Sequence, residues 1–312
     1  MPIIFRMRHT PVLHTTILDL LAPKEGDVVL DVTVGLGGHA QSFLEKIGPQ
    51  GKLIGIDADE ENLQEVKKVL NVAKVQNVTL LHTNFRNLQS LPHLLHLPHF
   101  SCHILFADLG VSSPHFDDAR RGFSFRFDGP LDCRFDRSKG ETGAELLMQA
   151  NEQELLRIFK DYGELRGAKK LVYGILESRS AHPIATTQDL RRLTEAAFGW
   201  RAKSVLPQVF QALRIAVNDE LGALKILLTE GPKLLKKGGR MGIMSFHSLE
   251  DRMVKQSFRE LATPLKHPVT GAPISNPPFH LLTPHPITAT LSEIEKNPRA
   301  RSAKFRAIAR VS

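Results

Sequence analysis

Apolar residues along this chain fall into short continuous blocks separated by longer amphipathic stretches. Val28-Val29-Leu30-Asp31-Val32, Leu53-Ile54-Gly55-Ile56-Asp57, Val78-Thr79-Leu80-Leu81-His82 and His103-Ile104-Leu105-Phe106-Ala107-Asp108 each read as a buried strand. Residues 12–22 carry helical spacing through Val12, Leu13, Ile17, Leu18, Leu20 and Leu21 and stop at Pro23. Residues 39–47 and 59–73 predict two further helices. Strands alternating with helices imply an α/β fold, a parallel sheet covered by helices on both faces.

The pattern changes after Asp108. Residues 109–140 are rich in Gly, Pro, Asp and Arg and read as ordered loop, and 142–200 are helical throughout. A helix over 219–236 resumes the alternation, followed by a strand at Gly239–Ser245 and a helix over 248–262. Residues 263–290 are proline-rich and read as a long loop, and Lys304–Val311 as a last strand. The expected division is an α/β domain from 1–115 and 216–312 with an inserted helical domain at 116–215. The length of 312 residues suits two domains of roughly 150 each.

Five strand ends carry candidate chemistry. Asp31 is followed by Gly35, Gly37 and Gly38 at a strand-to-helix turn, and Gly35-x-Gly37-x-x-Ala40 satisfies a relaxed dinucleotide fingerprint. Asp57 closes the second strand 22 residues after Gly35, where an acid accepts from both hydroxyls of a ribose. Asn84-Phe85 places an aromatic ring past the third strand, suited to an adenine face. Asp108-Leu109-Gly110-Val111-Ser112-Ser113-Pro114 ends the fourth strand and is like the target-base loop of amino-group methyltransferases, in which a carboxylate holds an exocyclic NH₂. His247, after the fifth strand, would share that rim, while Ser248-x-x-Asp251 reads as a capping box. An NAD(P) dehydrogenase would share the glycine turn and Asp57 but needs a nicotinamide site. A plain RNA-binding module has no need of a cofactor crevice. A methyltransferase of DNA amino groups differs only in substrate.

Charge narrows the partners. Lys and Arg number 41 against 33 Asp and Glu, a formal charge of +8 that favours a polyanion. Lys296, Arg299, Arg301, Lys304, Arg306 and Arg310 cluster without an acid, either as a solvated edge or as phosphate contacts. Two cysteines, Cys102 and Cys133, build neither a disulfide framework nor a zinc site. His93, His96, His99 and His103 lack acidic or Cys co-ligands and are interrupted by Pro92 and Pro98, so no metal is expected. No signal-peptide core and no run of about 18 apolar residues is present, so a cytoplasmic protein without membrane contact is expected.

Taken together these segments resemble the RsmH (MraW) family of bacterial cytosine-N4 methyltransferases of 16S ribosomal RNA. The matching runs are HTPVL (9–13), DVTVGLGGH (31–39), DLGVSSP (108–114), RGFSF (121–125), GPLDCRFD (129–136), FQALRIAVNDEL (210–221), GGRMGIMSFHSLEDR (238–252) and NPRARSAKFR (297–306). The resemblance implies a class I S-adenosylmethionine-dependent methyltransferase, a Rossmann-like seven-stranded sheet with its last strand antiparallel and a helical insertion for substrate recognition. It implies Gly35, Gly37, Gly38, His39, Asp57, Phe85, Asp108 and His115 at the cofactor, with Asp108, Ser112, Ser113 and His247 around the reaction. It implies 16S rRNA within the 30S subunit as partner, and leaves the oligomeric state open, a homodimer being one option. The chain departs from the family pattern at His115, where Gln is usual, and at Leu165, where Glu is usual.

Overall fold

The structure is a computed structural model and describes residues 11–70, 75–265, 267 and 270–312. His9, Thr10 and the expected end of the helix over 59–73 lie outside the described residues. The chain forms two compact units, residues 1–110 with 222–312, and residues 111–221. The expected insertion was 116–215.

The first unit is built on one mixed sheet. Its strands are β1 (Val28–Asp31), β2 (Lys52–Asp57), β3 (Val78–His82), β4 (Cys102–Asp108), β5 (Leu235–Ser245), β6 (Phe279–Leu281), β7 (Ile287–Thr288) and β8 (Lys304–Arg310). The order is β3-β2-β1-β4-β5-β8-β6, with β7 also on β8. The first five strands are parallel, and β8 runs antiparallel to β5. Alternation decides the two faces. Leu30, Ile54, Leu105, Ile243 and Ile308 enter one core, and Val29, Leu53, Ile104, Phe106 and Phe305 enter the other. With both faces covered, the central strands read as unbroken apolar runs, which is why they were visible in the sequence. Helices form where local chemistry favours them. In Glu60–Val69, Asp59 accepts from the Glu61 N–H at 2.8 Å, Glu60 and Glu61 lie in the first turn and Lys67 and Lys68 in the last.

Three expectations are corrected. The sheet has eight strands where seven were expected, because the proline-rich segment 263–290 contains β6 and β7, each too short to leave a periodic signal of its own. The helix expected over 219–236 ends at Glu230, because Gly231 and Pro232 turn it into a 3-10 segment, and β5 already starts at Leu235. Residues 109–140 are not all loop: Ser113–Asp117 and Ala119–Arg121 are helical turns.

The second unit packs helices Gly143–Gln149, Glu152–Arg157, Ala168–Ala181, Thr187–Phe198 and Ala202–Asn218 around Leu147, Phe159, Leu171, Val209 and Leu213. Thr142 with Glu145, Asn151 with Glu154, and Thr186 with Asp189 form capping boxes that set three helix starts. Buried Arg121 donates from Nη2 to the carbonyls of Arg134 and Phe135, and Asn218 bonds Cys133 O at 2.7 Å and Phe135 N at 2.8 Å. The RGFSF, GPLDCRFD and VNDEL runs therefore hold one another in place. Leu165 is buried in this core, so the position usually held by Glu is filled by apolar packing.

Candidate functional site

β1 lies between β2 and β4, so the strand order reverses at its carboxyl end and opens a crevice there. The turn after β1 is tied to both neighbours. Val34 N–H donates to Ile56 O at 3.0 Å, and Thr33 Oγ1 accepts from the Asp108 N–H at 2.6 Å. Thr33, which sequence reading passed over, thereby links the ends of β1 and β4. Gly37 sits at φ 84°, and a Cβ there would lie 2.5 Å from Val66 Cγ2, so this turn needs glycine on both counts. Helix Gly38–Ile47 begins without a side-chain cap or an acid in its first turn, which suits an anionic ligand group.

Asp57 is buried at the end of β2. Its Oδ2 accepts from Gly35 N–H and its Oδ1 from Asp59 N–H, both at 2.8 Å. These two bonds fix the carboxylate at the carboxyl end of β2, beside the turn that follows β1. Phe85 is half-buried against the first core at the start of the 3-10 turn Phe85–Ser90, which Asn84 caps through Arg86 N–H at 2.9 Å.

Asp31, His39 and Asp108 carry the strongest electrostatic perturbation. Burial, helped by the Asp57 charge, raises the pKa of Asp31 to about 7. Burial, with Asp31 and Glu250 as like charges, raises that of Asp108 to about 8. Burial, with His14 beside it, lowers His39 to about 3, so its imidazole is neutral at neutral pH. The His39 ring packs 4.8 Å from the Phe106 ring, and its Nε2 lies 4.0 Å from Asp108 Oδ2. Neither His39 nitrogen nor Asp108 Oδ1 has a hydrogen-bond partner among the described residues, although all three atoms are buried. Such atoms are costly unless a ligand satisfies them. Asp31 was read only as the start of the glycine motif, and its burial is what makes it part of the site.

His247 follows β5, whose Met244 pairs with Asp108 at the end of β4. It is the N-cap of helix Ser248–Leu261, its Nδ1 accepting from Glu250 N–H at 3.4 Å, while Glu250 Oε2 accepts from Phe246 N–H at 2.9 Å. The capping box is thus His247 with Glu250, one residue earlier than Ser248 with Asp251. Asp251 is spent instead on buried Arg306, 2.7 Å away, and on Lys304 at 3.3 Å. Arg310 Nη1 donates to Leu235 O at 2.6 Å. Half of the basic C-terminal cluster is therefore structural, while Lys296, Arg299 and Arg301 are exposed.

Ser112, Ser113 and His115 belong to the second unit. Ser112 caps the short helix Ser113–Asp117, with its N–H and Oγ each 2.9 Å from His115 Nδ1. The buried His115 ring packs against Phe123 and Phe135.

A crevice that offers a ribose acceptor at β2, an aromatic ring past β3 and unsatisfied polar atoms at β4 suits a nucleoside with a charged amino-acid tail. With β8 antiparallel beside β5, the fold and site define a class I S-adenosylmethionine-dependent methyltransferase. The chain belongs to the MraW methylase family, which it matches over residues 6–311. It is 41% identical to the ribosomal RNA small subunit methyltransferase H of Halothermothrix orenii, with 98% of this chain and 99% of that one covered. It is 44% identical to the protein of that name from Syntrophotalea carbinolica, with 97% and 98% covered. A putative rRNA-methylase structure from Clostridium thermocellum aligns with a TM-score of 0.45 at 11% identity, over 98% of this chain and 100% of that one.

Proposed function

We propose that this methyltransferase transfers a methyl group to the exocyclic N4 of one cytidine in the decoding region of 16S rRNA, within the 30S subunit in the cytoplasm. The observation that carries the reading is Asp108: an enclosed carboxylate oxygen with no partner, on the strand end where a target amine would meet the cofactor. Relatives named for small-subunit rRNA methylation support the substrate.

When bound, S-adenosylmethionine supplies an electrophilic methyl on a positively charged sulfur. Asp57 would hold its ribose, Phe85 its adenine, and Gly37, Gly38 and His39 its amino-acid end. Cytosine N4 is a poor nucleophile because its lone pair is delocalised into the ring. Asp108 as carboxylate accepts from N4–H, which favours pyramidalisation and frees that lone pair. Carbonyls of the 110–113 turn are further proposed acceptors. Ser112 and Ser113 shape that turn, and His115 fixes Ser112. Burial, with Asp31 and Glu250 as neighbouring like charges, keeps Asp108 basic enough to take up the proton the methylated amine gives up. Orientation and fixed dipoles supply the rest.

The test is transfer of label from methyl-labelled S-adenosylmethionine to small subunits from a strain lacking this enzyme, followed by nuclease digestion and mass mapping. Label on one cytidine N4 of 16S rRNA is expected. Retained cofactor binding with no label on that RNA would move the substrate to another RNA, to DNA or to protein.

A further inference from the structure

Trp200 is the one tryptophan of the chain, and its side chain is 91% exposed. It stands in the 3-10 turn Gly199–Arg201, between helices Thr187–Phe198 and Ala202–Asn218. An exposed indole offers a flat π-face on which another ring can stack. The core of its unit is complete without it.

Its surroundings are cationic. Arg201 and Lys203 are exposed on either side of the start of helix Ala202–Asn218, which has no acid in its first turn and no side-chain cap. Cations at that end oppose the helix dipole, so the local sequence gives up stability there. Gly167 lies against the Phe198 ring, where a Cβ would be 3.6 Å from Cε1. That contact brings the start of helix Ala168–Ala181, with exposed Arg166, Lys169 and Lys170, to the same end of the unit. Tyr173, 69% exposed, continues the face of Lys169 and Lys170 one turn on. Arg191 and Arg192 of the preceding helix are paired with Glu195 and Asp189, whereas these five cations have no ion-pair partner among the described residues.

We infer that Trp200 is a stacking platform for an unpaired base of the RNA substrate, with Arg201 and Lys203 beside it and Arg166, Lys169 and Lys170 taking flanking phosphates. This rests on the proposed RNA substrate. An aromatic face combined with cations is the chemistry that holds single-stranded nucleic acid without reading its sequence. A second copy of the chain is disfavoured as occupant, because two such cationic faces repel.

The single tryptophan makes the full-length protein its own probe. A short single-stranded RNA should quench Trp200 emission and shield it from acrylamide, while heparin, a polyanion without bases, should bind without either effect. Trp200→Ala should raise the KM for small subunits about tenfold with kcat unchanged, and Trp200→Phe should restore most of it. RNA binding with unchanged emission and quencher access overturns the platform. So does emission that follows protein concentration alone, together with a dimer in sedimentation, which assigns the face to a second copy. If the wild type fails to label rRNA, the proposed function falls whatever Trp200 does. If it labels rRNA and Trp200→Ala keeps the wild-type KM, the platform alone falls.

Discussion

Gly35 donates its backbone N–H to Asp57 Oδ2 at 2.8 Å, so the carboxylate that ends β2 also holds the glycine turn that follows β1. The side chain proposed to hold the ribose thus also holds the fold of the turn beside it. Asp57→Ala should weaken S-adenosylmethionine binding by about 1–3 kcal/mol, through the lost charged acceptor. The melting temperature should fall as well, because two backbone donors lose their partner. Asp57→Asn, which keeps one acceptor oxygen, should recover part of both. Calorimetry and thermal melts check this, and unchanged cofactor affinity in Asp57→Ala refutes the ribose role.

His39 is buried without a hydrogen bond, at the mouth of the crevice beside Asp108. His39→Leu removes an unsatisfied polar group and keeps most of the volume. The ligand-free protein should be as stable as the wild type or more so, while S-adenosylmethionine binding weakens about tenfold, the loss of roughly one hydrogen bond. A large loss of stability with intact cofactor binding would make His39 a packing residue.

The raised pKa of Asp108 has a definite pH signature. The proton-accepting carboxylate forms as pH rises through about 8, so the single-turnover methylation rate should climb over that range. Asp31→Asn removes a neighbouring like charge and should shift the rise to lower pH, and Asp108→Asn should abolish most of the rate while cofactor still binds. A flat profile, or full rate in Asp108→Asn, excludes Asp108 as acceptor.

The same shift predicts stability. Unfolded, Asp108 titrates near the ordinary carboxylate value of about 4. Folded, it keeps its proton up to about 8. Between these values the native state holds a proton that the unfolded state lacks, so the contribution of Asp108 is full at acid pH and is lost as pH rises through about 8. Asp108→Asn should flatten this fall in urea unfolding measured across a pH series.

Asp251 accepts from buried Arg306 at 2.7 Å. Asp251→Ala strands that guanidinium and should cost about 3–5 kcal/mol. Exchange of exposed Lys296 and Arg301 for Gln should leave the melting temperature unchanged and lower the salt dependence of RNA binding. Thermal melts separate the two groups.

The first five strands and the helices Gly38–Ile47 and Glu60–Val69 were legible because their signals are local. Continuous apolar blocks mark strands covered on both faces, and caps such as Asp59 or Thr142 act within one helical turn. Gly37 was legible as a glycine-dependent turn, and Asp57 as an acid at a strand end. β6 and β7 were not legible, since each is short and defined by pairing with β8. The helix expected over 248–262 does start at Ser248, but its cap was read one residue late, because Ser248-x-x-Asp251 fits a capping box as well as His247-x-x-Glu250 does. Only the position of Arg306 claims Asp251 for another partner.

The sequence by itself determined the α/β class, the first five strands, the helical insertion and the motif positions that carry the family resemblance, because periodicity and turn chemistry are written in adjacent residues. Tertiary structure alone decided which carboxylates keep their protons, which cations are spent in the fold, and which polar atoms are left for a ligand. Those properties depend on burial and on distances between residues far apart in the chain, as between Asp31 and Asp108 or Asp251 and Arg306, and no local pattern encodes them.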